Sequence, residues 1–202
     1  MAKEEITMAK RYLERKTYHH HIANHRAWPI WKGLRVVKYP MDMISYAEII
    51  FKHRPDVLIE CGTKFGGSAT FFADIMESIS NGRVITIDKD VCKFPFHPRI
   101  IQLQGSSTSK RILQQVKLML SNASVMVSLD SDHHRANVKR ELHYYSKFVT
   151  PGQFMVVEDS FPPRENYPQE AVDWFLTVNH QFKIIPIEEK YFYSTNTWLQ
   201  RK

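Results

Sequence analysis

The chain has 202 residues, 43% hydrophobic and 24% charged, the size and balance of one folded domain. That composition excludes a disordered, collagenous or coiled-coil chain, and no apolar run approaches the ~18 residues of a membrane-spanning helix. The 28 basic against 21 acidic residues leave a net charge of +7; it is spread along the chain, so nucleic acid is disfavoured and an anionic small ligand explains it as well.

Cys61 and Cys92 form no disulfide framework and no zinc spacing. Cys61 lies in an apolar strand pattern as a small core residue. The N-terminal stretch is charged throughout and has no apolar h-region, so a secretory signal is not expected and a reducing, cytoplasmic setting fits.

In chain order, residues 1–40 read as an N-terminal arm, and 41–202 as the domain. Glu4–Lys16 can form a helix with sparse apolar positions. Tyr18-His19-His20-His21 invites a metal reading, but consecutive side chains point to different faces, so a solvated arm is favoured. Trp28, Pro29, Trp31 and Gly33 form an aromatic, irregular stretch that serves as a lid or covers the core edge. Ile44, Ala47, Ile50 and Phe51 then fall at helical spacing, and Pro55 ends that helix.

Strands and helices alternate from there. Strands are expected at Val57–Ile59, Arg83–Ile87, Ile100–Leu103, Val125–Val127 and Gln153–Val157. Helical faces appear at Ala69–Met76, Ile112–Leu120, Val138–Tyr145 and Ala171–Val178. Strands over Phe182–Ile187 and Tyr191–Thr197 close the chain. Too few residues separate these two for a crossover, so they are antiparallel. The fold expected is α/β: a mostly parallel seven-stranded sheet with an antiparallel C-terminal strand and helices on both faces.

Polar residues collect where the parallel strands end: Glu60, Asp88, Ser106-Ser107, Asp130 with Asp132, and Glu158-Asp159. Ligands bind at that edge of such sheets. After the first strand comes Glu60-Cys61-Gly62-Thr63-Lys64-Phe65-Gly66-Gly67-Ser68. It is neither the dinucleotide fingerprint nor a phosphate loop, and Glu60 would repel a pyrophosphate but attract an ammonium group. That favours the amino-acid end of S-adenosylmethionine over NAD, against the plainer reading of a βα turn. Asp88 is placed to accept from ribose hydroxyls, or to cap a helix, with Asp90 in reserve.

Asp130, Glu158 and Asp159 converge at neighbouring strand ends. Without partners they would repel one another, and Mg²⁺ or a similar hard cation removes that conflict; salt bridges from Arg135, Lys139 or Arg140 are the alternative. His133, three residues beyond Asp130, has an ordinary pKa near ~6.5 and is the candidate general base. His134 reads as its solvated neighbour, and Asp132 as the next candidate for the base or metal role.

These segments together resemble the cephalosporin hydroxylase family, which includes rhamnosyl O-methyltransferases. The likeness is carried by Lys38-Tyr39-Pro40-Met41-Asp42, Arg54–Thr63, Gly66–Ala69, Val84–Asp88, His97–Ile100, Gly105–Ser107, Leu129–His133 and Val156–Asp159. The strand inventory matches its Rossmann-like class I methyltransferase fold. The resemblance implies an S-adenosylmethionine-dependent methyltransferase acting on a hydroxyl of a small polar molecule. It places Glu60, Gly62 and Ser68 at the methionine portion and Asp88 at the ribose, with Thr63, Phe65, Gly66, Gly67, Ser106, Ser107 and Asp130 completing the cofactor site. It implies Mg²⁺ on Asp130, Glu158 and Asp159, and His133 as base. Cys61 stands where a small residue such as threonine is expected. An inactive cofactor-binding module and an RNA or protein methyltransferase are the rival readings. The acceptor and any homo-oligomer stay open.

Overall fold

A strand with no polar face is one buried on both sides, and Val57–Cys61 (β3) is buried at every position. The computed structural model describes residues 28–161, 165–187 and 194–202, together with positions 13, 17, 20 and 21. A hairpin of Ile30–Trp31 (β1) and Leu34–Arg35 (β2) comes first, then helix α1 (Pro40–His53) and β3. Next are α2 (Gly67–Ser78), β4 (Arg83–Asp88), β5 (Ile100–Gln104), α3 (Lys110–Leu118) and β6 (Val125–Leu129). The chain closes with α4 (Arg135–Tyr145), β7 (Phe154–Val157), α5 (Pro168–Val178), β8 (Phe182–Ile184) and β9 (Thr197–Arg201).

The last seven strands form one sheet in the order β5-β4-β3-β6-β7-β9-β8. β3 to β7 run parallel, and β9 is antiparallel to both β7 and β8. One face packs Leu58, Val84, Met126 and Val156 against Tyr46 and Ile50 of α1 and Phe72 and Met76 of α2. The other packs Ile59, Ile85 and Val127 against α3, α4 and α5. The layered α/β sheet expected from the pattern is therefore the sheet observed. Cys61 is fully buried, and both cysteines are free thiols.

Local chemistry sets the boundaries. Lys32 and Gly33 both have positive φ (47° and 81°), the turn geometry that matches hairpin twist. Pro40 opens α1, and Arg54 closes it in a left-handed cap just before Pro55. The final strand departs from the expected 191–197. Residues 194–196 are not strand, and Phe154↔Gln200 through Val157↔Thr197 pairing sets the strand at Thr197–Arg201 and buries Trp198 and Leu199 completely. Residues 188–193, the expected helix Glu4–Lys16 (of which only Leu13 is described), and Tyr18 and His19 lie outside the described residues.

β3 has β4 on one side and β6 on the other, so the chain winds outward in opposite directions from it and leaves a crevice at the strands' carboxyl ends. Backbone bonds carry the ladder past those ends: Asp130 N–H donates to Cys61 (2.9 Å), Glu158 N–H to Leu129 (3.0 Å), and Gly62 N–H to Ile87 (2.8 Å). Gly62 has φ +106°, and a Cβ there would overlap the Asp130 carbonyl, so only glycine lets these two strand ends meet.

Trp198 ties β9 to this frame, its ring 4.8 Å from Tyr46 and 6.3 Å from Phe154. Trp198→Ala is expected to cost about 3–5 kcal/mol, read from the urea-unfolding midpoint; a loss below about 1 kcal/mol would mean the β9 seam is not a principal element of the core.

Candidate functional site

A cavity of about 390 Å³ opens at this crevice, within the size range of small-molecule sites. Of the residues singled out in the sequence, Gly62, Thr63, Phe65, Ser68, Asp88, Ser106, Ser107, Asp130, Asp132, His133, Glu158 and Asp159 all line it. Glu60, Gly66 and Gly67 are not among its lining residues. Gly66 and Gly67 are small because the chain itself crowds them: added Cβ atoms would meet the Phe94 ring and the Arg35 carbonyl. Glu60 is fully buried and accepts from Thr86 Oγ1 at 2.6 Å. Its Oε1 has no hydrogen-bond partner. Burial pushes its pKa up to about 7, against the opposing influence of Lys38 and the Ser68 hydroxyl.

Asp88 shapes the glycine turn while facing the cavity. Its Oδ2 accepts the amides of Thr63 (3.0 Å) and Lys64 (2.9 Å), and its Oδ1 accepts that of Asp90 (3.1 Å). Ser106 pairs with Thr108 at 3.3 Å.

The acidic end is organised by a residue that the sequence pattern did not single out. Lys38, 2% exposed, brings its ammonium to Asp130 Oδ2 at 2.7 Å and to Glu158 Oε1 at 2.5 Å. Two of the convergent carboxylates are thus partnered by a lysine, and not by any of the three cations considered from the sequence. Arg135 pairs with Glu170 (3.2 Å), Arg140 donates to Asn137 (3.3 Å), and Lys139 lies over the Trp174 ring at 4.5 Å. Glu158 Oε1 is crowded with donors: Tyr46 (2.6 Å) and Ser128 (2.9 Å) also donate to it, whereas Oε2 accepts only Asn196 Nδ2 at 3.4 Å. Burial opposes the Lys38 ammonium, but Asp130, Glu158 and Glu60 outweigh it and hold its pKa above the usual lysine value. Burial likewise works to raise Asp130, but Lys38 and His133 hold it below the usual carboxylate range. Glu158 is raised, because its burial outweighs Lys38.

His133 bridges two carboxylates, Nε2 to Asp130 Oδ1 and Nδ1 to Asp159 Oδ2, each at 3.3 Å. Burial disfavours its imidazolium, yet Asp130 and Asp159 prevail and push its pKa up to about 9, well above the ordinary value expected from sequence. Asp159 has the left-handed φ of +52°, which turns it away from the strand, a conformation Asp tolerates better than most residues. Asp132 instead pairs with His134 at 2.6 Å in an exposed position, and that hydrogen bond lowers its pKa. The ligand atoms of Asp130, His133 and Asp159 lie within 4.8 Å of one another, so the donor set suits a divalent cation. Glu158, expected in that set, lines the same cavity and gives Oε1 to Lys38, Tyr46 and Ser128, while Oε2 accepts a single long bond from Asn196.

A second group, Asp74, Glu77 and His97, is a clamp. Trp31 Nε1 and Lys32 Nζ each donate to Asp74 at 2.7 Å. His97 Nδ1 accepts the Arg99 amide at 3.1 Å, which leaves the neutral ring's proton on Nε2, 3.2 Å from Asp74. That nitrogen is a donor and no metal ligand.

The profile of the Rhamnosyl O-methyltransferase/CmcI family matches residues 26–202. A rhamnosyl O-methyltransferase of Mycobacterium leprae (strain TN) is 34% identical over 136 residues, 64% of this chain and 59% of its own length. The match thus spans under two thirds of that curated relative. Among solved structures, one described as cmcI-D160 Mg-SAM superposes with a TM-score of 0.71 at 21% identity, covering 86% of this chain and 76% of the other. MycE methyltransferase in complex with Mg and SAH gives 0.62 at 16% identity, covering 78% and 48%. Both share the fold.

Two outcomes follow from the charge arrangement. Lys38→Met leaves buried carboxylates uncompensated and is expected to lose about 3–5 kcal/mol at pH 8. The loss shrinks as pH falls, because burial already raises Glu158 and without Lys38 it takes up a proton more readily; denaturant titrations at pH 8 and at lower pH check this. In metal-free protein, His133 should titrate near 9 by imidazole NMR. A raised histidine stabilises the fold fully below its unfolded pKa of about 6.5 and loses that contribution as pH rises through the folded value. Asp159→Asn should move the titration down.

Proposed function

The chain belongs to the Rhamnosyl O-methyltransferase/CmcI family, and from that premise we propose that it is an S-adenosylmethionine-dependent O-methyltransferase. Its acceptor is a hydroxyl of a small polar molecule of the sugar or natural-product type, and Mg²⁺ is its metal. One observation carries the reading: a single cavity joins the glycine turn, Asp88 and Ser106-Ser107 to the Lys38–Asp130–His133–Asp159 cluster. The first part suits a nucleoside with an amino-acid tail; the second suits a hydroxyl that must lose its proton.

Gly62, Thr63, Phe65 and Ser68 hold the methionine portion, with Glu60 buried behind the wall that Thr63 and Ser68 form. Asp88 takes the ribose through lone pairs left beyond the three amides it accepts. Ser106 and Ser107 flank the base, and Asp130 lies at the reacting end. Asp130 and Asp159 hold the cation, with Glu158 contributing through Oε2, the oxygen that Lys38 does not contact. A bound divalent cation supplies positive charge that favours the ionised form of an acceptor hydroxyl. Asp130 keeps the His133 ring oriented through Nε2. With a cation on Asp130 and Asp159, the carboxylate charge that raises His133 would be drawn off, so that the ring would be neutral and Nδ1, released from Asp159, would take the acceptor's proton. Residues 28–39 serve as the lid: Trp28 and Tyr39, edge to face at 5.5 Å, line the cavity with Arg35 and Val37 and exclude water. Positioning the two reactants in one dry site accounts for much of the acceleration.

Calorimetry should show S-adenosylhomocysteine binding with no measurable binding of NAD; the reverse result removes the cofactor assignment. Chelation should abolish methyl transfer to hydroxylated acceptors while sparing cofactor binding, and full turnover after chelation removes the metal. His133→Ala should lower the rate by ~10²–10⁴ with cofactor affinity near normal, whereas exposed His134→Ala changes little.

A further inference from the structure

Glu141 is a buried carboxylate that none of these steps uses. It lies on α4 at 1% exposure, behind two residues that line the cavity, Ser107 after β5 and Ser131 after β6. Both hydroxyls donate to the same oxygen, Glu141 Oε1, Ser107 at 2.5 Å and Ser131 at 2.6 Å. A hydroxyl has one proton to give. With that proton committed inward, each serine can show the cavity lone pairs only. One lone pair of Ser131 already accepts from Asn137 Nδ2 at 3.3 Å. Tyr145 holds the Ser107 carbonyl at 2.8 Å, which fixes the loop that carries the other hydroxyl.

The place of this patch identifies what meets it. The Gly105 amide donates to the Asp88 carbonyl at 2.7 Å, so the loop bearing Ser107 starts beside the acid that takes the ribose. A nucleoside anchored on Asp88 brings its base toward Ser106, Ser107 and Ser131.

We infer that Glu141, by drawing both serine protons inward, makes this wall an acceptor surface that selects a purine with an exocyclic amine over one with a carbonyl at that position. The inference rests on the S-adenosylmethionine reading and deepens it. Adenine presents N–H to Ser107 Oγ. Hypoxanthine presents a carbonyl oxygen, so lone pair faces lone pair and a buried acceptor is left unpaired. Glu141 acts through the serines and is a positioning residue for specificity.

The test is titration calorimetry of the full chain with S-adenosylhomocysteine and with S-inosylhomocysteine at pH 8, above the value of about 7 to which burial pushes the Glu141 carboxyl. The wild type should favour the amine by about 10- to 100-fold. Glu141→Ala removes the oxygen that accepts from both serines, so each hydroxyl can turn its proton to the cavity, and the preference should fall to near unity. Ser107→Ala removes the acceptor without touching the buried glutamate, so the preference should fall there too even if the Glu141 variant does not fold. A wild-type preference near unity, or variants that weaken both ligands equally and keep the preference, overturns the inference alone. A wild type that binds neither ligand overturns the cofactor reading and the inference with it.

Discussion

The Lys38 ammonium, held without solvent contact between Asp130 and Glu158, is the interaction on which the rest of the site depends. A parallel sheet gathers its carboxyl-terminal loops on one edge, and here that edge brings Asp130, Glu158 and Asp159 together. A buried carboxylate without a counter-charge is costly, and removing one partner of a buried pair is more so. Lys38 offsets two of the three charges, and the His133 imidazolium lies between Asp130 and the third. The lysine lies over the rings of Tyr46 and Phe72 at 5.6 and 5.7 Å, and Tyr46 also donates to Glu158. The packing of α1 on the sheet and the electrostatics of the cavity are therefore one structure.

Glu141 stands behind the cavity wall and accepts from Ser107 and Ser131, both of which line the cavity. Two other buried acids, Glu60 and Asp42, accept from Thr86 and Thr195, which do not line it. All three are pushed up to about 7, with burial the leading cause. The two serines have given their protons inward, so Glu141 fixes the polarity of that part of the wall in advance. Orientation settled before binding is what a positioning site needs.

The wall on the other side is the hairpin β1–β2 and the strand-like approach to Pro40. Asp74 of α2 holds Trp31 and Lys32 at its tip, while Gly67, at the start of the same helix, lets the Arg35 carbonyl approach closely. One helix thus anchors the hairpin at one end and opens onto the glycine turn at the other. Among the described residues, the segment ahead of the domain is part of the cavity, with Lys38 at its innermost point.

The sequence by itself determined the sheet, the helices on both faces and the acids at the strand ends. Apolar runs, helical spacing and Gly or Pro punctuation are local properties, and a parallel strand must end at the crevice. It also placed His133 beside Asp130, three residues on in the chain. Only the tertiary structure decided the partners. Lys38 reaches Asp130 and Glu158 across 92 and 120 residues, and the sheet order that brings them together is written in no local pattern. The same reason set the final described strand at Thr197–Arg201, where pairing with β7 fixes it. The fold also showed what requires glycine at Gly66 and Gly67, the Phe94 ring and the Arg35 carbonyl, because a glycine's spacing shows that room is needed and the folded chain alone shows what fills it.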